Sequence, residues 1–466
     1  MLDSQIEAIV QQVLAQVSNS QGALPRAAHY RGVFATADEA VKAAKIALDR
    51  FSRISLTQRK AIIQAMRDIA IENAQKLAQT AVEETHMGRV SDKVLKNLLV
   101  AEKTPGVEIL PHDAYVGDDG LTLEECAPFG VILSITPVTN PTSTVINNAI
   151  SMVAAGNSVV FAPHPAGQKS SLMTMDLLNE AIEGAGGPPN MLAAVQEATI
   201  EVAQELMHHP QIRLICATGG PGVVDAALSC GKRAIGAAAG NPPALVDDTA
   251  DPEKAARDII LGHTFDNNLP CTSEKEVIMT AGIADALMKA FRQAGNVHVL
   301  DPAMLPQLEQ VVLNDKRSGP RREFIGQNAC VILAELGITA DENMRAVVAE
   351  VGKDHPFVRH ELMMPVLGVV RVRDFEEGIK VAVEVEAGLR HSAIIHSSNI
   401  YHMSEFGRAI NTTIFVKNAP SYAGLGFGGE GHTSFTIAGR TGEGMTTART
   451  FTRFRRCTLV GAFSAV

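Results

Sequence analysis

One alternation narrows the fold of this chain more than any other feature. Short, mostly apolar runs recur between segments whose apolar residues fall at steps of three and four. GVILSI ending at Ile135, SVVFA at 158–162 and IRLICAT at 212–218 read as strands buried on both faces, because a strand covered on one side would alternate apolar with polar residues. TVINNAISMVAAG at 144–156 and the pattern from Lys169 to Ala181 read as helices, with a turn at Gly156 and Asn157 between helix and strand. Strands that alternate with helices in this way build a parallel sheet covered on both faces, so the fold class is α/β. The alternation resumes after Pro242 with ALVDD, a helix from Pro252 to His263, the strand EVIMT and the helix ADALMKAFRQA, which predicts a second lobe and a boundary near residue 236.

Three segments stand apart from this pattern. From Phe34 to Ala81 the spacing predicts two amphipathic helices, the first opened by Thr36 or Asp38. From Tyr115, two β-type runs flank the turn signal Asp119-Gly120, which predicts a hairpin. Residues 441–466 end in an extended arm of the kind that pairs with another sheet or subunit.

The N-terminus reads as a separate piece. Leu2, Ile6, Ile9, Val10, Val13, Leu14 and Val17 form an apolar stripe on a helix over 1–18, and 19–29, with Gly22 and Pro25, reads as a linker. A tethered helix either packs back on the body, pairs with another subunit or docks into a partner's groove. Its first turn carries Asp3 and Glu7, unlike the basic start of a secretion signal.

Composition removes several function classes. A net charge of −10 opposes sequence-independent binding to nucleic acid or to an anionic membrane. No apolar run reaches the ~18–20 residues of a membrane span. The six cysteines are scattered without a CxxC pair, which argues against a disulfide framework or a cysteine-rich zinc site and suits reduced cytosol. Met364 stands where an HExxH string starting at His360-Glu361 would place its second histidine, so no metal site is expected.

Gly424 to Gly429 satisfies GxGxxG, but HTSFTIA after it alternates like a strand, so a dinucleotide turn is not expected there. Gly219-Gly220-Pro221-Gly222, between a buried strand and a helix, either is an ordinary turn or lets a phosphate or ring approach backbone N–H groups. Among the cysteines, Cys271 lies in a polar loop after Pro270, whereas Cys126 and Cys216 have apolar or strand-like neighbours; Cys271 is the candidate for thiol chemistry. His164, His208, His209, His391 and His396 remain unranked by the residues alone.

Three strings in this order, ITPVTNPTSTVINNAISMVAAGNSVVFAPHP (135–165), ATGGPGVV (217–224) and FDNNLPCTSEKE (265–276), resemble the aldehyde dehydrogenase superfamily. Residues 240–248, 361–372, 391–399 and 420–435 extend the resemblance over nearly the whole chain after about residue 30. It implies a dinucleotide-binding domain over 30–111 and 129–236, a catalytic domain over 237–434, and a small β oligomerisation element from 112–128 and 435–466. By the same resemblance Cys271 is the nucleophile, and the Asn140 amide with the Cys271 N–H forms an oxyanion hole. Thr136, Pro137, Pro163, His164, Thr218, Gly219, Gly220, Glu361 and His391 fall where the family contacts its cofactor, with Glu361 on the nicotinamide ribose.

Two departures from hydrolytic members carry a finer reading. Ala237, in IGAAAGN (235–241), stands closest to the place of their glutamate general base. Water, with a pKa near 15.7, needs such a base to attack a thioester, whereas a thiol of pKa about 8.5 is already a few per cent thiolate at neutral pH. The implied acceptor is coenzyme A. Ala162 replaces the lysine that contacts the adenosine ribose, which leaves NAD, rather than NADP, as the expected cofactor on the strength of the resemblance alone.

Both departures resemble CoA-acylating members of the bacterial microcompartment type, and PSYAGLG with HPQIRLICATGGPGVV looks closer to those acting on propionaldehyde than on acetaldehyde. The expectation is a short aldehyde, NAD and CoA converted to acyl-CoA and NADH inside a microcompartment. Partners would be shell proteins bound by residues 1–18 and further copies of the chain in a dimer or tetramer. A hydrolytic dehydrogenase and a catalytically idle scaffold are the competing readings.

Overall fold

The computed structural model describes residues 30–463; the predicted helix over 1–18 and the linker over 19–29 lie outside them. Two parallel sheets organise the chain. The first has six strands in the order Val33–Phe34, Leu192–Val195, Ser158–Pro163, Val131–Thr136, Ile212–Thr218 and Ala234–Ala237. The second has seven, in the order Val297–Val299, Ala346–Glu350, Val366–Val372, Glu276–Thr280, Pro243–Val246, Ser392–His396 and Ile414–Lys417.

The apolar runs form central strands because both their faces are covered. Ile132, Val159, Phe161 and Leu214 point to one side, where Val145, Ile146 and Ala149 of the helix Pro141–Ala154 and Met175 and Leu178 of Gln168–Gly184 meet them. Val131, Leu133, Val160 and Ile215 point to the other, against Ala40, Val41 and Ala44 of Ala37–Phe51 and Leu206 of Ile200–His208. Each such Val, Ile or Leu contributes about 1.5–3 kcal/mol of burial, and none of these positions accommodates a polar residue without loss of that term.

A third sheet is antiparallel: His112–Gly117 and Gly120–Pro128 form the predicted hairpin, and Thr452–Val460 pairs along the whole outer edge of its second strand. The C-terminal arm therefore joins a sheet of its own chain. Gly120, at φ +120°, is required, since a Cβ there would fall 2.1 Å from the Leu459 carbonyl oxygen.

Two local expectations differ from the structure. The segment 34–81 holds parts of four elements, because Val33–Phe34 is an edge strand and the second predicted helix breaks at Asn73 into Leu56–Glu72 and Ala74–Thr85. Asn73 leaves the helical region (φ −101°, ψ 7°) and its Nδ2 donates to the Ile69 carbonyl, a side-chain bond that competes with continuation of the helix. In HTSFTIA only Ile437–Ala438 is strand; Ser434 and Thr436 engage their hydroxyls with Thr446, the Thr436 backbone and the distant Asn148 side chain. Thr36 caps its helix with Glu39 in a reciprocal pair of hydrogen bonds.

Candidate active site

The predicted site residues collect at two sheet edges. Thr136, Pro163 and Thr218 each end a strand of the first sheet; Thr136 is paired with Pro163, and Thr218 with Ala237, so they share its carboxyl edge. The chain order reverses direction between Val131–Thr136 and Ile212–Thr218, the topological switch point at which open α/β sheets bind ligands. In the second sheet the residues come from the opposite edge. Glu361, Cys271, Gly240 and His391 lie in the segments that lead into four adjacent strands, Val366–Val372, Glu276–Thr280, Pro243–Val246 and Ser392–His396.

The loop before Cys271 is heavily determined. Asp266, Asn267 and Asn268 run consecutively through the left-handed region, at φ 49°, 54° and 66°, which Asp and Asn tolerate better than other residues with a Cβ. Each is pinned by its side chain. Asp266 accepts from the Arg89 N–H and from Lys93 and Lys96; Asn267 donates to Gly326 O and Asn328 Oδ1; Asn268 donates to His263 O and Glu274 O. From below, the buried Lys275 ammonium donates to Asn268 O and Oδ1 at 2.8 Å, to Pro270 O at 3.2 Å, and faces Glu361 Oε1 at 3.5 Å.

Burial around the Cys271 thiol pushes it up to about 12, and the Glu361 carboxylate adds to the rise; Lys275, the residue's own N–H and Lys96 pull the other way. Glu361 is itself raised by burial against the opposing pull of Lys275 and a hydrogen bond from the Gly240 N–H. Gly240 must lack a Cβ, which would sit 2.7 Å from the Cys271 carbonyl oxygen and 2.8 Å from His391 Cγ. His391 is thus beside the Cys271 backbone. Its N–H donates to Glu386 Oε1, its Nδ1 is paired with Ser392 Oγ at 2.7 Å, and its Nε2 is buried without a partner. Burial lowers its pKa to about 4, with Lys275 adding to the fall, so the ring is neutral at pH 7.

Asn140 occupies the N-cap of Pro141–Ala154 yet makes no side-chain cap bond. Its amide is engaged elsewhere: Oδ1 accepts from Lys96 Nζ at 2.5 Å, and Nδ2 donates one proton to Thr139 Oγ1 at 3.2 Å, leaving the second free to donate.

The carboxyl edge of the first sheet suits a dinucleotide. Gly220 and Gly222 open on to free space, and Gly220 starts the nine-residue helix Pro221–Ser229 without a side-chain cap, so its first N–H groups are exposed to an anion. Thr136 Oγ1 is buried without a partner. Beside them a cleft is lined by Ala162, Pro163, Val195, Thr199 and Val202. Pro137 follows the end of its strand, partly exposed, and His164 caps the turn Pro165–Gly167, its Nδ1 accepting the Ala166 N–H. Thr218 Oγ1 is bonded to Thr436 Oγ1 at 2.9 Å, which leaves the Gly219–Gly220 backbone as the free part of that turn. The GxGxxG string 424–429 is followed by no helix; Gly426 O and Gly429 O accept from Lys103.

Sequence reasoning missed Lys93, Lys96, Asp266 and Lys275. The one signal was Asp-Asn-Asn before Leu-Pro-Cys, three left-handed-tolerant residues in a row. The lysines carried none, since lysine is ordinarily a surface residue.

The profile of the aldehyde dehydrogenase family matches residues 24–454. The chain is 48% identical to the acetylating acetaldehyde dehydrogenase EutE of Salmonella typhimurium, over 100% of both proteins. Among solved structures, a propionaldehyde dehydrogenase of Rhodopseudomonas palustris with bound CoA and an acylated cysteine superposes with TM-score 0.90 at 48% identity, covering 92% of this chain and 98% of that one. A propionaldehyde dehydrogenase from the fucose utilisation microcompartment of Clostridium phytofermentans gives TM-score 0.91 at 49% identity, covering 94% and 100%.

Proposed function

The chain belongs to the aldehyde dehydrogenase family, and from that membership we propose that it oxidises a short aldehyde to its CoA thioester through an acyl group held on Cys271. The observation that carries this reading is the Cys271 loop itself. Cys271 follows three pinned residues and lies beside a neutral imidazole, Lys96 bonds both Asp266 of that loop and the Asn140 amide, and residues 235–241, IGAAAGN, contain no carboxylate to activate water.

In this reading the Cys271 thiol gives its proton to solvent as its sulfur adds to the aldehyde carbon, and the alkoxide that develops faces Asn140 Nδ2 and the Cys271 N–H. NAD, when bound, accepts the hydride whose loss turns the adduct into a thioester. Thr136, Pro137, Pro163, His164 and the Thr218–Gly220 turn would hold the dinucleotide, with Glu361 on the ribose nearest Cys271. Glu197 lines the same cleft, where its carboxylate opposes a 2′-phosphate and so favours NAD over NADP. The CoA sulfur then bonds to the acyl carbon as the bond to Cys271 breaks, and the CoA thiol proton ends on the departing Cys271 sulfur, which burial makes the more basic of the two thiolates.

The test is product analysis. Aldehyde with NAD and CoA yields acyl-CoA, and omission of CoA stops turnover after one acyl group per site; sustained release of free acid without CoA would instead mean a hydrolytic enzyme. We further propose propionaldehyde as the preferred aldehyde, which requires its kcat/KM to exceed that of acetaldehyde. Of the relatives named above, the curated one is an acetaldehyde dehydrogenase and the two solved ones are propionaldehyde dehydrogenases.

A microcompartment lumen is the proposed location, supported by the origin of the Clostridium phytofermentans relative. Deleting residues 1–18 should leave turnover in solution intact and abolish association with shell proteins.

A further inference from the structure

Lys93 and Lys96 sit one turn apart on the helix Val90–Lys103, and both are buried, at 2% and 1% exposure. Two interior ammonium groups converge on a single carboxylate, Asp266, which is itself 0% exposed. One lysine suffices to neutralise it. Asp92, the next acid, is occupied by Arg345 and by the Asp266 N–H. The cluster therefore holds a surplus positive charge, which is costly to bury unless it is used.

The two lysines differ in what else they touch. Lys93 Nζ donates to the Thr139 carbonyl at 3.1 Å, whereas Lys96 Nζ donates to Asn140 Oδ1 at 2.5 Å. We propose that Lys96 is a positioning residue for the reaction: its ammonium fixes which end of the Asn140 amide faces the reacting carbon and strengthens that amide as a donor. An ammonium can only donate, so the oxygen end of the amide must turn to it and the N–H end away. Charge drawn toward Oδ1 makes the Nδ2 protons better donors, and hydrogen bonds in a chain reinforce one another at low local dielectric. The same positive charge lies close enough to Cys271 to favour its thiolate. The residue does not touch substrate.

This proposal rests on the reading of Cys271 and Asn140 as the reacting pair, so the experiment separates the two. The rapid first turnover of NADH formation with aldehyde and NAD is measured for Cys271→Ala, Asn140→Ala, Lys96→Met, Lys96→Gln and Lys93→Met, each with its thermal midpoint. The first two should lose the burst; if either keeps it, the reading of the pair fails. Lys96→Met should slow the burst roughly 10- to 100-fold, somewhat less than loss of an oxyanion donor itself, with KM for aldehyde within threefold.

Lys96→Gln, which keeps a donor for Asn140 but no charge, should fall between Met and wild type and serves alone if the Met variant does not fold. Lys93→Met removes an equal charge from the same carboxylate and should slow the burst less than Lys96→Met does. A Lys96 variant within threefold of wild type, or equal losses at Lys93 and Lys96, would overturn the proposal.

Discussion

At the scale of single residues, the environment of Cys271 has a measurable consequence. Burial and Glu361 raise its thiol to about 12, so the resting enzyme holds almost no thiolate at pH 7. The thiolate fraction then grows about tenfold for each pH unit below that value. Alkylation of Cys271 by iodoacetamide, followed by peptide mass analysis without cofactors, should therefore accelerate steadily from pH 7 to 9 with no plateau. A plateau near pH 8 would mean that the thiol is not raised. Cys271 was legible in the sequence because a polar loop after proline is an unusual place for a cysteine, and Asn140 through its resemblance. The lysines were not, since Lys96 meets Asp266 170 positions away and only the fold brings them together.

At the scale of elements, the segment 265–276 shows how a strained backbone is held. Three successive left-handed residues cost of order 1–3 kcal/mol each where they are sparsely populated, less for Asn and Asp, and the side-chain bonds of Asp266, Asn267 and Asn268 together with Lys275 offset that cost. Lys275→Met should destabilise the protein by about 1–3 kcal/mol, because Asn268 O, Asn268 Oδ1 and Pro270 O lose their buried donor. Denaturant titration measures this; a loss under 1 kcal/mol would show that the ammonium does not hold the loop. The buried strands were readable here because both faces demand apolar residues. The break at Asn73 was not, because a helix end set by one side-chain bond leaves no mark on the apolar spacing.

At the scale of the whole molecule, the site exists because the carboxyl edge of one parallel sheet and the entry loops of another supply its parts. The alternation of strands and helices revealed both sheets, and their meeting followed only from the structure. The antiparallel sheet of 112–128 and 452–460 shows Tyr115, Val116, Phe454 and Val460 to solvent at 56–76% exposure. Such a surface suits a second copy of the chain. We expect a dimer or larger assembly by light scattering, and a shift toward monomer in a Phe454→Asp, Val460→Asp double variant; a monomeric wild type would refute this. In the proposed function the two parallel sheets serve one covalent event. The most direct test mixes enzyme, aldehyde and NAD without CoA, quenches in acid and locates the acyl mass by peptide analysis. The account predicts one acyl group, on the peptide containing Cys271, that vanishes within a turnover when CoA is added; an adduct on another residue, or one lost as quickly to water as to CoA, would contradict it.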